Sequence, residues 1–249
     1  MTPPRTRRRP GRPAPSAAVA TARLRVLGRT GAVVITARLA AEVRDRHDVD
    51  VSLLYAQNSA DAHGDVFNDP RQWFENHSRY LDQVGWEYLS GDARWDRPSG
   101  PLEVDQIIRQ RFAAIPESTP QMHSLIDRAL ARLGQARTYT DPALAGFGAA
   151  PEGAAPGGAA PGGVRRGCFY LTYVDHQANG PVFHMVNFWY ETRERLINGL
   201  FHTIRETTTV ESASYGIRRL NRRVYATQRR RVERALATGA EDGLQDLEI

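Results

Sequence analysis

The chain has 249 residues and a mass of 27.8 kDa, a length that suits one or two domains. With 41% hydrophobic residues, a single cysteine and no long apolar window, the composition excludes a transmembrane helix and an internal disulfide framework. The formal net charge is +5, and all 33 basic residues are arginine, which indicates the GC-rich codon usage of a high-GC bacterium.

Charge is distributed unevenly along the chain. Residues 1–41 carry nine arginines and no acidic residue, whereas residues 42–141 carry 11 arginines and 17 acidic residues. Residues 142–249 are weakly basic again. An acidic middle between basic ends predicts electrostatic contacts, either inside the molecule or with a neighbouring subunit.

Residues 1–16 combine proline with arginine and show no apolar periodicity. Such a segment cannot bury enough apolar surface to offset the entropy cost of ordering, so we expect a disordered basic arm. The arginines are not followed by the continuous apolar stretch of a secretory signal, and we therefore expect a cytoplasmic protein.

Residues 17–140 are predicted to be a helical region. Apolar residues recur at helical spacing from Ala32, and a second helix follows Asp48. Pro70 favours the first turn of a third helix, after which residues 86–89 can form a short strand. Two further helices follow, each opened by a proline, and the second keeps apolar residues inward from Met122 onward.

Residues 141–166 are predicted to be a flexible linker or loop. The five-residue units AAPEG, AAPGG and AAPGG follow one another there. Glycine removes any preferred conformation, and proline breaks helices and strands. A long surface loop inside one domain would have the same composition, so this segment does not by itself mark a domain boundary.

Residues 167–249 change to the period of two that is typical of strands, and Asn179-Gly180 is a strong hairpin signal. The predicted strands cover residues 167–175, 181–191, 200–207 and 210–220. Asn221 then caps a terminal helix. The predicted fold class is α+β, with a mostly helical N-terminal half and a C-terminal four-stranded antiparallel meander followed by a terminal helix, packed together as one domain.

The second of these strands is apolar on both faces, which is typical of a central strand covered on both sides. We therefore expect Trp189 to be buried against the helix that contains Leu125 and Leu130, or against its neighbour.

Several motifs resemble those of a bacterial family of small proteins that has no known activity. They are LLYAQNSAD at residues 53–61, W-F-x5-Y-L-x3-G-W at residues 73–86, L-N-x2-V-Y at residues 220–225 and LEI at residues 247–249. In that family a helical half precedes a short β-meander. The resemblance implies the same architecture here and implies nothing about function.

The loop after the second predicted helix holds the densest group of potential metal ligands. Asp61, His63, Asp65 and Asp69 offer carboxylates and an imidazole, which bind divalent cations. The spacing is not that of an EF-hand, which needs a glutamate at its last position. The competing interpretation is a polar loop whose carboxylates cap helix ends.

Single histidines and the cysteine are weaker candidates. His184 and His202 lie on neighbouring predicted strands and could meet near Tyr170, while His77 lies on an inward helix face. Cys168 follows two arginines that could lower the pKa of its thiol. Each of these residues also has a plain structural explanation, and the sequence identifies no phosphate-binding loop, nucleophile elbow or cofactor.

Arginines concentrate in and before the terminal helix, where Glu233 is the only acidic residue. The cluster comprises Arg218, Arg219, Arg222, Arg223, Arg229, Arg230, Arg231 and Arg234. They cannot all share a helix face with the apolar residues Tyr225 and Val232, so we expect a broad basic surface. Arginine binds phosphates and carboxylates well, but a solvated face balanced by the acidic half has the same composition.

These features favour a non-enzymatic interaction or assembly protein that uses its acidic and basic surfaces, as a homo-oligomer or with a protein partner. One alternative is a nucleic-acid-binding protein that uses the arginine-rich arm and the terminal helix. The other is a metal-dependent enzyme that uses the His/Asp loop. An enzyme is the less favoured class because no catalytic set of residues is stronger than its structural explanation.

Deleting residues 149–162 should leave the melting temperature nearly unchanged. The closure entropy of a flexible loop varies slowly with its length, by about 0.6 kcal/mol per doubling. Thermal unfolding followed by circular dichroism measures the effect. A fall of more than roughly ten degrees would show that the repeats pack against the fold.

Overall fold

The computed structural model describes residues 21–28, 30–93, 100–136, 165–193, 199–205, 209–237 and 244–249. The predicted arm, residues 1–16, and nearly all of the predicted linker, residues 141–166, lie outside the described residues.

Helices and strands are mixed along the described chain, so the predicted α+β class is confirmed. The strands are β1 (Arg23–Leu27), β2 (Gly31–Ile35), β3 (Trp86–Asp92), β4 (Leu102–Glu103), β5 (Arg165–Gln177), β6 (Gly180–Thr192), β7 (Thr203–Ile204), β8 (Thr209–Leu220) and β9 (Leu244–Glu248). The helices are α1 (Ala37–Ala41), α2 (Val43–Asp61), α3 (Pro70–Gln83), α4 (Val104–Ala113), α5 (Pro120–Ala136) and α6 (Arg222–Ala237).

Seven strands form one mixed sheet in the order β3-β8-β6-β5-β2-β1-β9, in which β2 and β5 are parallel and the other neighbours are antiparallel. The predicted hairpin is present as β5 and β6. The strand predicted over residues 200–207 is present only as β7, which pairs with β4 outside the main sheet, because Gly199–Phe201 is a short 3-10 helix; residues 206–207 lie outside the described residues. The four-stranded meander is therefore part of a larger sheet, in which β8 pairs directly with β6.

The helix predicted from Ala32 is also wrong at its start, because residues 31–35 form the buried strand β2. A short apolar run fits either a buried strand or a helix, and here pairing with β1 and β5 decides the outcome. The N-terminal half is thus less helical than predicted, since it contributes β1 to β4.

The main sheet is covered on both faces. One face packs on α4 and α5 through residues such as Phe112 and Leu130. The other face packs on α2, α3 and α6 through Trp73, Trp86 and Tyr225. Trp189 is only partly buried, and it packs with the second group rather than under α5, so its predicted environment is wrong. Its neighbours in β6, Phe188 and Tyr190, point to the α5 face instead.

A close approach between β2 and β5 requires a glycine. A Cβ atom on Gly31 would lie 2.4 Å from both Cζ and the hydroxyl oxygen of Tyr170. That hydroxyl donates a hydrogen bond to Gln57 of α2, so the ring is held in place. Gly31 therefore lets Tyr170 lie across the neighbouring strand and reach the helix above it.

Replacing Gly31 with alanine should destabilise the fold by about 1–3 kcal/mol, because the new methyl group overlaps the Tyr170 ring. Chemical denaturation measures the loss. Gly64→Ala is the matched control, since no atom lies within 4 Å of the position of its added Cβ. Equal stability of the two variants would show that β2 and β5 can separate without cost.

Candidate interaction surface

Helix α6 begins at a side-chain cap. The carbonyl oxygen of the Asn221 side chain accepts hydrogen bonds from the backbone N–H groups of Arg223 and Val224, at 3.0 and 3.2 Å. Tyr225 and Val232 are buried seven residues apart, so they fix the side of α6 that faces the protein. The arginines of α6 lie at different angles from that buried side, so some face the protein and others face solvent.

Two arginines of α6 turn toward α2. Arg222 binds both carboxylate oxygens of Asp45, and Arg229 binds both of Asp48, with Nε–Oδ1 distances of 3.1 and 3.0 Å respectively. Asp45 and Asp48 are only 7% and 3% exposed. The acidic middle of the sequence thus meets its basic end inside the molecule, one of the two arrangements that the charge pattern predicts.

Arg218 does not belong to the predicted basic surface, because it is only 6% exposed on β8. Its guanidinium donates to the carboxylate of Asp82, the hydroxyl of Ser78 and the backbone oxygen of Trp86. These contacts join β8 to α3 and to the start of β3. The sequence places Arg218 on the strand that precedes the helix, but it could not show that the Arg218 side chain turns toward α3 and not toward solvent.

The remaining helix arginines lie on exposed surface. We call Arg223, Arg230, Arg231 and Arg234 the arginine face; all four are exposed, while Arg219 on β8 is half-buried. Arg223, Arg230 and Arg234 fall on one side of a helix with 3.6 residues per turn and span about 16 Å along it. The carboxylate of Glu233 lies 3.8 Å from His47 of α2, and Glu233 also lines a shallow depression together with Arg230 and Arg234. The arginine face is therefore positively charged and is bordered by one carboxylate of α6.

The carboxylates of the His/Asp loop make local contacts. Asp61 accepts from the indole N–H of Trp73 at 2.8 Å and from the amide of Gln57 at 3.0 Å, and burial raises its pKa. Asp65 accepts from the backbone N–H of Phe67. Asp69 caps α3 by accepting from the N–H of Gln72, at 3.0 Å.

His63 bonds the backbone oxygen of Ser59 at 2.8 Å and also contacts the hydroxyl of Tyr80. These contacts match the alternative interpretation of a polar loop with helix caps. Within the described residues, no three side chains from His, Cys, Asp and Glu are arranged to hold a metal ion.

The two strand histidines that could have formed a site lie apart. His184 is paired with Tyr173 across β5 and β6, on the α5 face of the sheet, whereas Tyr170 lies on the other face. His202 stacks on Tyr190 with ring centres 5.7 Å apart, and Tyr190 is six residues, or about 20 Å, along β6 from His184. The possible site is therefore not formed, and the structural explanation of these histidines is the one that the contacts favour.

His77 and Cys168 are core residues. The imidazole of His77 stacks on the Trp73 ring at 5.1 Å, and burial, assisted by Arg218, lowers the pKa of His77 to about 3. Burial raises the pKa of the Cys168 thiol well above its ordinary value. The neighbouring arginines therefore do not activate this thiol, contrary to the effect considered from the sequence.

Comparisons with known proteins identify no family. No protein-family model matches the sequence, and no curated protein matches it either. One similar solved structure is a delta-endotoxin, with a TM-score of 0.41, 12% identity and coverage of 88% of this chain and 91% of that chain. Another is an activated Cyt2Ba monomer from Bacillus thuringiensis subsp. israelensis, with a TM-score of 0.36, 11% identity and coverage of 74% and 92% respectively. Both likenesses are too weak to indicate a function.

Among the described helices, none has the length and apolarity needed to cross a membrane.

Arg229→Gln should destabilise the protein by about 2–3 kcal/mol, because it leaves the buried carboxylate of Asp48 without its partner. Arg230→Gln, one position along on the exposed face, should change stability by less than about 0.5 kcal/mol. Urea denaturation of both variants measures the difference. Adding Asp48→Asn to Arg229→Gln should recover part of the loss, and a harmless Arg229→Gln would mean that Asp48 is solvated in solution.

Proposed function

We propose that this protein is a non-enzymatic interaction protein that binds the acidic surface of a partner protein through the arginine face of α6. The observation that supports the proposal is that some arginines of α6 form ion pairs inside the protein whereas others are exposed. Arg222 and Arg229 neutralise buried carboxylates of α2, whereas the exposed side chains of Arg223, Arg230 and Arg231 make no such ion pair with the described residues.

The ion pairs inside the molecule also limit which kind of partner the arginine face could bind. Asp45 and Asp48, which could have bound the arginines of a neighbouring subunit, already bind Arg222 and Arg229 of their own chain. An assembly of identical chains would need other carboxylates, such as the exposed ones of Glu42 and Glu75. We therefore favour a different acidic protein as the partner, in the cytoplasmic location expected from the sequence.

Nucleic-acid binding is the second candidate function. The spacing of the arginine face along about 16 Å of helix suits a row of phosphates, and the sequence of residues 1–16 adds five arginines. The short side chains between these arginines, Ala226 and Thr227, offer little for reading bases. Binding would then depend on salt and not on base sequence.

The variant Arg223→Gln/Arg230→Gln/Arg231→Gln tests the proposal while it leaves both internal ion pairs intact. Poly-glutamate serves as the acidic polypeptide probe and a duplex DNA of mixed sequence as the competing probe, both titrated at low and physiological salt. We expect the variant to bind poly-glutamate about tenfold more weakly, since each exposed charge pair contributes roughly 0.5 kcal/mol.

The matched control is Arg44→Gln/Arg71→Gln/Arg128→Gln, which removes the same charge from exposed positions on other helices. An equal loss in the control would mean that only net charge matters, and the proposal would fail. Tighter binding of DNA than of poly-glutamate, lost in the variant, would replace it with the nucleic-acid function. Light scattering on the wild type and both variants measures the oligomeric state. An oligomer that dissociates only in the arginine-face variant would show that the partner is a second copy of this chain.

A further inference from the structure

A groove of about 710 Å³ lies between the first half of α2 and the last turn of α6, with Arg25 of β1 at its side. Pockets for small molecules have volumes of about 300–1,000 Å³ and combine apolar walls with a few polar groups. The groove is separate from the His/Asp loop and from the candidate histidines His77, His184 and His202.

The floor of the groove is apolar. Val43, Val51 and Leu54 lie along one side of α2, and Leu236 approaches from α6. Leu54 is buried and Val51 and Leu236 are half-buried, whereas Val43 is 67% exposed at the mouth. The groove thus offers apolar contacts that would gain from being covered.

Several charged residues surround the floor. Arg25 and Asp50 form a nearly buried ion pair, and the carboxylate of Glu233 lies 3.8 Å from the His47 ring across the two helices. Arg46 is different, because its guanidinium donates only to the backbone oxygen of Ala40, at 3.4 Å. No carboxylate of the described residues forms an ion pair with Arg46, so its guanidinium can still bind an anionic ligand.

The surroundings add further positive charge. A shallower depression on α6 shares Glu233 and Ala237 with the groove and is also lined by Arg230 and Arg234. An anion that enters the groove would therefore meet arginines near its rim as well as Arg46.

We infer that this groove binds an aliphatic carboxylate with a single chain of medium length. The chain lies on the floor formed by Val43, Val51, Leu54 and Leu236, and the carboxylate binds the guanidinium of Arg46. Arginine suits this ligand because its planar fork can donate two hydrogen bonds to one carboxylate. The inference does not rest on the proposed partner binding, because it concerns the adjoining groove and another class of ligand.

Calorimetric titration of the whole protein with hexanoate, octanoate and decanoate, below their micellar concentrations, tests whether the aliphatic chain contacts the apolar floor of the groove. Affinity should rise about two- to fourfold for each added methylene, as expected when a methylene is buried. Decanol should bind about tenfold more weakly than decanoate, since it lacks the charge that Arg46 recognises. Affinity that is independent of chain length would overturn the inference, as would no detectable binding of decanoate.

Two matched pairs of variants locate the site. Val43→Gln should weaken decanoate binding several-fold, whereas Val224→Gln changes an exposed valine outside the groove and should have no effect. Arg46→Gln should reduce decanoate affinity to the level of decanol, and Arg44→Gln should not. Equal effects within either pair would refute this site. Val43→Gln leaves the arginine face intact, so its result is separable from the test with poly-glutamate.

Discussion

The burial of Asp45 and Asp48 on α2 is the constraint on which the charged surfaces of this protein depend. A buried carboxylate is costly unless a cation and hydrogen bonds compensate it. Arg222 and Arg229 provide this compensation from α6, about 180 residues further along the chain. These contacts hold α6 against α2, and they determine which arginines are left for a partner.

The same corner of the molecule joins α2 to the central sheet. His176, at the end of β5, lies 2.9 Å from the carboxylate of Asp45, and the hydroxyl of Thr36 donates to Asp175 at 2.7 Å. Further along α2, the side chain of Gln57 accepts a hydrogen bond from the Tyr170 hydroxyl and donates one to the carboxylate of Asp61. The same carboxylate accepts a hydrogen bond from the indole N–H of Trp73. Polar contacts thus bind α2 to β5 near both of its ends, with apolar packing between them.

Local sequence signals predicted the elements that local interactions determine. The apolar spacing after Pro120 predicted α5, and Asn179-Gly180 predicted the β5–β6 hairpin. The strand at residues 31–35 was not predictable in this way, because five apolar residues fit a helix as well as a strand. Its pairing with β1 and with β5, the latter some 140 residues away, fixes it as a strand.

The candidate surface was predictable only in outline. Eight clustered arginines indicated a basic region, but the sequence could not show that Arg218 would be buried between β8 and α3. Nor could it assign Asp45 and Asp48 to their partners, because that depends on how α2 and α6 pack. The groove between these helices was missed for the same reason, since its walls come from three distant segments.

The arrangement of α6 explains how one helix can serve the fold and still present a charged surface. Residues seven apart return to nearly the same side of a helix. Arg222 and Arg229 repeat at that interval toward α2, and Arg223 and Arg230 repeat at the same interval one position later, toward solvent. A rotation of about 100° per residue therefore separates the arginines that stabilise the fold from those available to a partner. Substitutions on the outer stripe leave the buried carboxylates of α2 paired, so the proposed binding can be altered while the fold is preserved.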